Sequence, residues 1–178
     1  MEKVLFREEQ QTSRKKMLKA VAITIFFGIL VLGYWFVRFS YNGKNNTDKI
    51  FTDPAFIITV VLFFCVLAIV IIVNSISRLV TKVENDCIYI HYYPFKKVWE
   101  KIDASDIFSY RLKTYRAYRE YGGYGVRDSR RRGKAYIISG ETGLQLYLKN
   151  GTQILIGTQK KQAIKYAIDK VMKGKKTA

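Results

Sequence analysis

The sequence predicts a membrane α-helical hairpin joined to an α+β domain, a bent antiparallel sheet or barrel capped by one C-terminal helix. Three observations predict it. Two long apolar runs without a charge occupy the first half of the chain. Short alternating segments rich in β-formers follow, separated by turn residues. A helical apolar pattern closes the sequence.

Composition narrows the function. Of 178 residues, 31 are Lys or Arg and 14 are Asp or Glu, a net charge of +17. An apolar fraction of 49% excludes a disordered chain. Two cysteines exclude a disulfide scaffold or a four-cysteine zinc site, and one histidine excludes centres that need several imidazoles.

The first element is the run Ala20 to Val37, 18 residues without a charge. The second is Pro54 to Ser77, 24 residues without a charge. A hydrocarbon core of about 30 Å needs about 20 helical residues, so each run can span it. The expected spans are 20–39 and 54–80, with an outer loop over 40–53. Glu2, Glu8 and Glu9 precede the first run, and no small-residue site follows it, which argues against a cleaved signal peptide. Tyr34 and Trp35 suit an interfacial aromatic belt. Gly28 and Gly33 suit close helix contact. Pro54 suits the first turn of the second helix.

Lys15, Lys16, Lys19, Arg78 and Lys82 flank the spans on the terminal side, whereas Lys44 and Lys49 in the loop are offset by Asp48 and Asp53. By the positive-inside rule both termini are cytoplasmic, and 1–19 is a cytoplasmic N-terminal segment. The expected address is a cell inner (plasma) membrane, crossed twice. Asn45-Asn46-Thr47 matches a glycosylation triplet in the outer loop, a match that arises often by chance.

Residues 83–174 form the expected cytoplasmic domain. Strand patterns cover Val83 to Tyr93, Lys97 to Ile102, Asp106 to Thr114 and Lys134 to Ser139. Gly143 to Leu148 places three leucines on one face, and Gln153 to Gly157 follows. Asn150-Gly151 between them predicts a type I′ hairpin. After Thr158, an N-cap candidate, Ala163, Ile164, Ala167, Ile168, Val171 and Met172 recur at helical spacing. Lysines 170, 173, 175 and 176 crowd the end, where the helix dipole favours cations.

Candidate chemistry is sparse. His91 has no second histidine at ligand spacing and reads as an ordinary strand residue. Cys65 lies in a span and Cys87 in the domain, so they should not pair. Asp103 and Asp106 read as turn residues. Gly122-Gly123-Tyr124-Gly125 lacks the lysine and the strand–loop–helix setting of a phosphate loop. Neither span carries a full charge, so no ion pathway is written in them. No enzyme, metal or cofactor is expected.

The segment from Tyr110 to Lys134 stands apart. It holds nine basic residues against Glu120 and Asp128, a net of +7, interleaved with five tyrosines. The candidate contact residues are Arg116, Arg119, Arg127, Arg130, Arg131, Arg132, Lys134, Tyr118, Tyr121 and Tyr124. One reading is a solvated hairpin extension. A second is contact with anionic lipid headgroups, where each basic residue contributes about 1 kcal/mol. A third is docking of an acidic protein partner, since Arg and Tyr are favoured interface anchors. Nucleic acid is not expected, because no RNA-binding signature accompanies the arginines.

Tyr121-Gly122-Gly123-Tyr124-Gly125-Val126-Arg127, the stretch Gly133 to Gly140, Gly143-Leu144-Gln145-Leu146, Asn150-Gly151 and the stretch Ile154 to Lys160 carry a resemblance. Over residues 15–172 the chain resembles bacterial two-transmembrane-helix proteins with a C-terminal pleckstrin-homology-like (PH-like) domain. The resemblance implies a PH-like fold and a membrane address, and no catalytic residues. The functional expectation is a non-enzymatic, membrane-tethered interaction or regulatory module that binds a protein partner or a second copy. The alternatives are an accessory subunit of a larger membrane complex and an anionic-lipid sensor.

Overall fold

A computed structural model describes residues 4–41, 53–96 and 98–176. The chain divides into two units, residues 13–75 and the remainder on either side of them.

The first unit is a pair of helices, α1 (Arg14–Tyr41) and α2 (Pro54–Ile76). Ser13 accepts backbone bonds from Lys16 and Met17 at the start of α1. Asp53 caps α2, its carboxylate accepting the N–H of Ala55 at 2.8 Å, and Pro54 takes the first helical position as expected. The helices run antiparallel. Trp35 meets Phe56 edge-on at 5.7 Å, Gly28 faces Phe63, and Ser75 reaches Met17 at 3.8 Å. A Cβ on Gly28 would overlap the Phe63 ring, so glycine is what admits the aromatic side chain. Gly33 has open space around it and serves no such contact. Trp35 is buried, stacked on Phe39 and set against Phe56; of the expected aromatic belt only Tyr34 points outward. No α2 residue is buried, and most large apolar side chains of both helices are exposed. Among the described residues these are the two helices long and apolar enough to cross a membrane. The glycosylation triplet at Asn45 lies outside the described residues.

The second unit is α+β. Its first sheet has the order β1-β2-β3-β4, all antiparallel: β1 (Phe6–Gln11), β2 (Arg78–Val83), β3 (Cys87–Tyr93) and β4 (Glu100–Asp103). A turn of 3-10 helix, Ala104–Asp106, follows, with Asp103 at its N-cap and Asp106 as its last residue. The second sheet has the order β5-β8-β9-β7-β6: β5 (Ile107–Thr114), β6 (Gly125–Ser129), β7 (Gly133–Ile137), β8 (Thr142–Leu148) and β9 (Gln153–Gly157). All its pairings are antiparallel except β7 with β9. A short helix, α3 (Ala117–Tyr121), leads into β6, and α4 (Lys161–Lys176) ends the fold. The two sheets do not close on each other into one barrel.

Alternation decides what lies between the sheets. Leu79, Val83, Ile88, Ile90 and Ile102 point in from the first sheet, Leu144, Leu146, Ile154 and Ile156 from the second, and Ile164, Ala167, Ile168 and Val171 from α4. Each fully buried Ile or Leu contributes about 1.5–3 kcal/mol. The helical stripe lies as the spacing predicts, except that Ala163 is exposed. Cys65 and Cys87 are both free, as expected.

Three local expectations need correction. Residues 78–80 are strand rather than helix, because Arg78 to Val83 alternates outward and inward. The N-terminal segment is not separate from the domain: Phe6 to Gln11 forms β1 and pairs with β2 from Phe6↔Val83 to Gln11↔Arg78. The β8–β9 turn is not a two-residue type I′ turn. Leu148 and Thr152 close a three-residue loop, the Gly151 N–H donates to the Leu148 carbonyl at 3.0 Å, and Gly151 takes a left-handed φ of 81°.

The inward face of β1 is polar. Thr158 Oγ1 donates to Glu8 Oε2 at 2.6 Å, and the Gln159 N–H donates to Glu8 Oε1 at 2.9 Å. Gln10 Nε2 donates to the Gly157 carbonyl at 2.8 Å. Thr158 Oγ1 also accepts the Lys160 N–H at 3.0 Å. Glu8 is buried at 3% exposure and binds the β9–α4 junction through these bonds. Buried polar groups persist where they are hydrogen-bonded, and this strand is held by that chemistry as much as by Phe6.

Candidate functional site

The basic, tyrosine-rich segment folds onto the outer face of the second sheet. That face carries Ala135, Ile137 and Leu155, which need cover. Tyr115, Ala117 and Tyr121 supply it, forming a second small core with Tyr124 packed against them. Tyr115 and Tyr121 meet edge to face at 6.4 Å. The Tyr121 hydroxyl donates to Gln145 Oε1 at 3.4 Å, so Gln145 is buried on the outer side of a strand whose leucines point inward. Burial pushes the Tyr115 and Tyr121 hydroxyls above the usual phenol range. Tyr115, Ala117 and Tyr121 of the segment are therefore packed on the sheet rather than solvated. Gly122, in the left-handed region at φ 74°, stops α3 and turns the chain toward β6.

One carboxylate organises the fold of the segment. Glu120 accepts from Lys113 Nζ at 2.6 Å, from the Arg116 N–H at 2.9 Å, and from the guanidinium of Arg132. It joins β5, the start of α3 and the β6–β7 turn. Burial pushes this carboxyl up, but the bonds from Lys113 and Arg116 outweigh burial and hold it below the ordinary carboxylate range. Glu100 plays the same part between the sheets. It accepts from Lys134 Nζ at 2.6 Å, from Lys96 Nζ at 3.2 Å and from the Tyr136 hydroxyl. Burial raises Glu100 too, and its three donors again win.

The ten candidate residues separate under this geometry. Lys134 and Arg132 are held in the two internal ion-pair clusters. Tyr121 and Tyr124 belong to the small outer core. Arg116, Tyr118, Arg119, Arg127, Arg130 and Arg131 are exposed. Among the described residues none of those five arginines forms an ion pair. Arg127 Nε donates to the Tyr124 carbonyl at 2.8 Å, which fixes its stem while its charge faces out. Tyr118 is 74% exposed and stands at 90° to Tyr124, 5.4 Å between centroids. The Arg132–Glu120 pair ties the β6–β7 turn to α3.

Sequence reasoning singled out the cations and missed the two acids that order them. A lone acid four residues after Arg116 in a basic stretch was the available signal for Glu120. His91 stacks on Trp99 at 4.9 Å, an ordinary strand contact. Among the described residues no group of three or more His, Cys, Asp or Glu could hold a metal ion. No protein-family model matches the chain, and no curated protein matches it significantly. Two apolar helices early in the chain and a β-rich domain after them fit the expected layout.

Proposed function

We propose that this chain is a membrane-tethered interaction module that receives an acidic protein segment on the face built by α3 and the β6–β7 turn. In this reading the hairpin crosses an inner membrane with both termini in the cytoplasm, as the flanking lysines and arginines favour. The domain is PH-like. An antiparallel four-stranded meander, then β5, β8 and β9, then one helix, follow that order, with residues 115–141 inserted after β5.

The observation that carries the proposal is the division of charge. Of the segment's two acids Glu120 turns inward to structural pairs and Asp128 stays exposed, while five arginines face out without an ion pair. Tyr118, between Arg116 and Arg119 in the chain, is exposed as well, and Arg and Tyr are among the residues that most often anchor interfaces. Localisation does not need this face, because two spans already hold the domain at a bilayer.

The test is photocrosslinking in native membranes with a benzophenone amino acid in place of Tyr118. The expected product is an adduct with an acidic protein. It disappears when Arg116, Arg119, Arg130 and Arg131 are changed to Ser. An adduct with lipid alone supports the lipid-sensor alternative and defeats this one, as does an adduct that persists in the Ser variant.

A further inference from the structure

Exposed apolar side chains in the β-rich unit are mostly scattered singly, at Val4, Phe108, Tyr118 and Tyr166. One cluster breaks that pattern. Tyr93, Phe95, Val98 and Trp99 sit at the β3–β4 connection, with exposures of 48, 62, 76 and 44%. Phe95 packs beside Tyr92 at 5.9 Å. Trp99 rests on His91 at 4.9 Å and on the edge of Tyr89 at 6.4 Å. Tyr92 faces the core and His91 the opposite side of β3, so Phe95 and Trp99 flank the strand from its two faces, and both remain largely exposed. Lys96 sits among them, paired to Glu100.

Register fixes where this cluster lies along the sheet. Tyr93 pairs with Arg78, and Arg78 follows the last residue of α2, Ile76, by two positions. Consecutive Cα atoms are 3.8 Å apart and paired antiparallel Cα atoms about 5 Å apart. Connectivity alone keeps the Tyr93 backbone within about 13 Å of the helix end. The headgroup layer of a bilayer is roughly 5–8 Å deep on each side. The other end of β3, at Cys87, lies roughly 20 Å from Tyr93 along the strand at about 3.4 Å per residue. Phe108 follows the turn at that far end.

We propose that the β3–β4 connection is a membrane-interface anchor, with Tyr93, Phe95, Val98 and Trp99 seated in the headgroup region of the same bilayer that the hairpin spans. Trp and Tyr concentrate at this depth because their rings are apolar and their N–H and O–H groups still reach water. Val and Phe add apolar area, and lysine suits the anionic surface. With the two helix connections already at this end of the sheet, a third contact fixes the orientation of the domain. The inference rests on the hairpin crossing a bilayer and is independent of the acidic-partner reading.

The test uses the full chain carrying Trp35→Phe, reconstituted into phosphatidylcholine–phosphatidylglycerol vesicles. Trp99 is then the one tryptophan. Vesicle flotation after an alkaline carbonate wash first reports whether the chain is integral. Brominated phosphatidylcholine should quench Trp99, and aqueous acrylamide should not. A second arm guards against misfolding from the loss of Trp35: the full chain with Cys65→Ala, Cys87→Ala and Val98→Cys, labelled with a polarity-sensitive dye. The dye should report an apolar setting at position 98 and water at Phe108→Cys. A chain that washes off the vesicles overturns the spanning hairpin and this anchor together. An integral chain whose Trp99 is quenched by acrylamide overturns the anchor alone. Protection from both quenchers means that protein, not lipid, covers the cluster, and overturns it equally.

Discussion

Glu120 and Glu100 are the residues on which the ordering of the basic face turns. Each gathers donors from elements far apart in sequence, and each is largely shielded, with side-chain exposures of 15 and 22%. Their carboxyls sit below the ordinary range in the folded chain. The unfolded chain therefore binds protons more readily than the folded one as pH falls. The stabilisation is complete above the unfolded value, about 4.3, and is lost as pH drops through the lowered folded values. Thermal unfolding followed from pH 7 to pH 3 should show melting temperature falling in the acid range only. Changing Glu120 to Gln should lower stability at pH 7 by about 1–3 kcal/mol, because Lys113 and Arg132 are left facing each other without the anion. The same variant should show a shallower loss in acid. An unchanged acid slope would mean that the carboxylate does not carry the ordering role. Lys113→Met tests the other partner, and its effect should not add to that of Glu120→Gln, since the two share one contact.

Among the elements, those that announce themselves by periodicity were legible. The two apolar helices, β3, β5, β7, β8, β9 and α4 lie within a few residues of their sequence patterns. The charged tail of the segment over residues 110–134 was legible as a distinct feature, and its cover of a second apolar face was not. That face depends on Ala135, Ile137 and Leu155, which alternate with core residues on strands apolar on both sides. Such strands give no alternation to read. The strand β1 was invisible for the opposite reason. Its inward positions are Phe6, Glu8 and Gln10, and a strand that buries two polar groups does not alternate in hydrophobicity. Its partner β2 was concealed because Leu79 and Val80 continue the apolar run of α2. Since β1 is held by hydrogen bonds, Glu8→Ala should detach it. Thr158 Oγ1 and the Gln159 N–H would both lose their acceptor at a buried site, at about 1–3 kcal/mol for each group stranded. Hydrogen exchange should then show early opening of residues 6–11 and 78–83 together, with β8 and β9 still protected. Uniform loss of protection across both sheets would count against a strand held locally.

At the scale of the whole molecule the β-rich unit is discontinuous: its first strand precedes the helical hairpin and its second strand follows it. In effect the hairpin is inserted between two adjacent antiparallel strands. Gln11 and Arg78 are the last pair of that ladder, and such a pair can be bridged by a two-residue turn. A chain in which Asn-Gly replaces residues 12–77 should therefore fold as a water-soluble domain. A fragment starting at residue 84 should not, although it keeps all but the first residue of the strand-rich stretch that the sequence marks as the domain. It lacks Phe6, Leu79 and Val83, whose burial together contributes roughly 5–9 kcal/mol. That is comparable with the entire stability of a domain, about 5–15 kcal/mol. It also lacks Glu8 and Gln10, and so frees the β9–α4 junction. The two chains can be compared by circular dichroism and urea unfolding at equal concentration. The joined chain should give a β-rich spectrum and a single cooperative transition, and the fragment should aggregate or unfold without one. Cooperative folding of the fragment would show that β1 and β2 are accessories to the domain, and the insertion of the hairpin within it would then have no structural necessity.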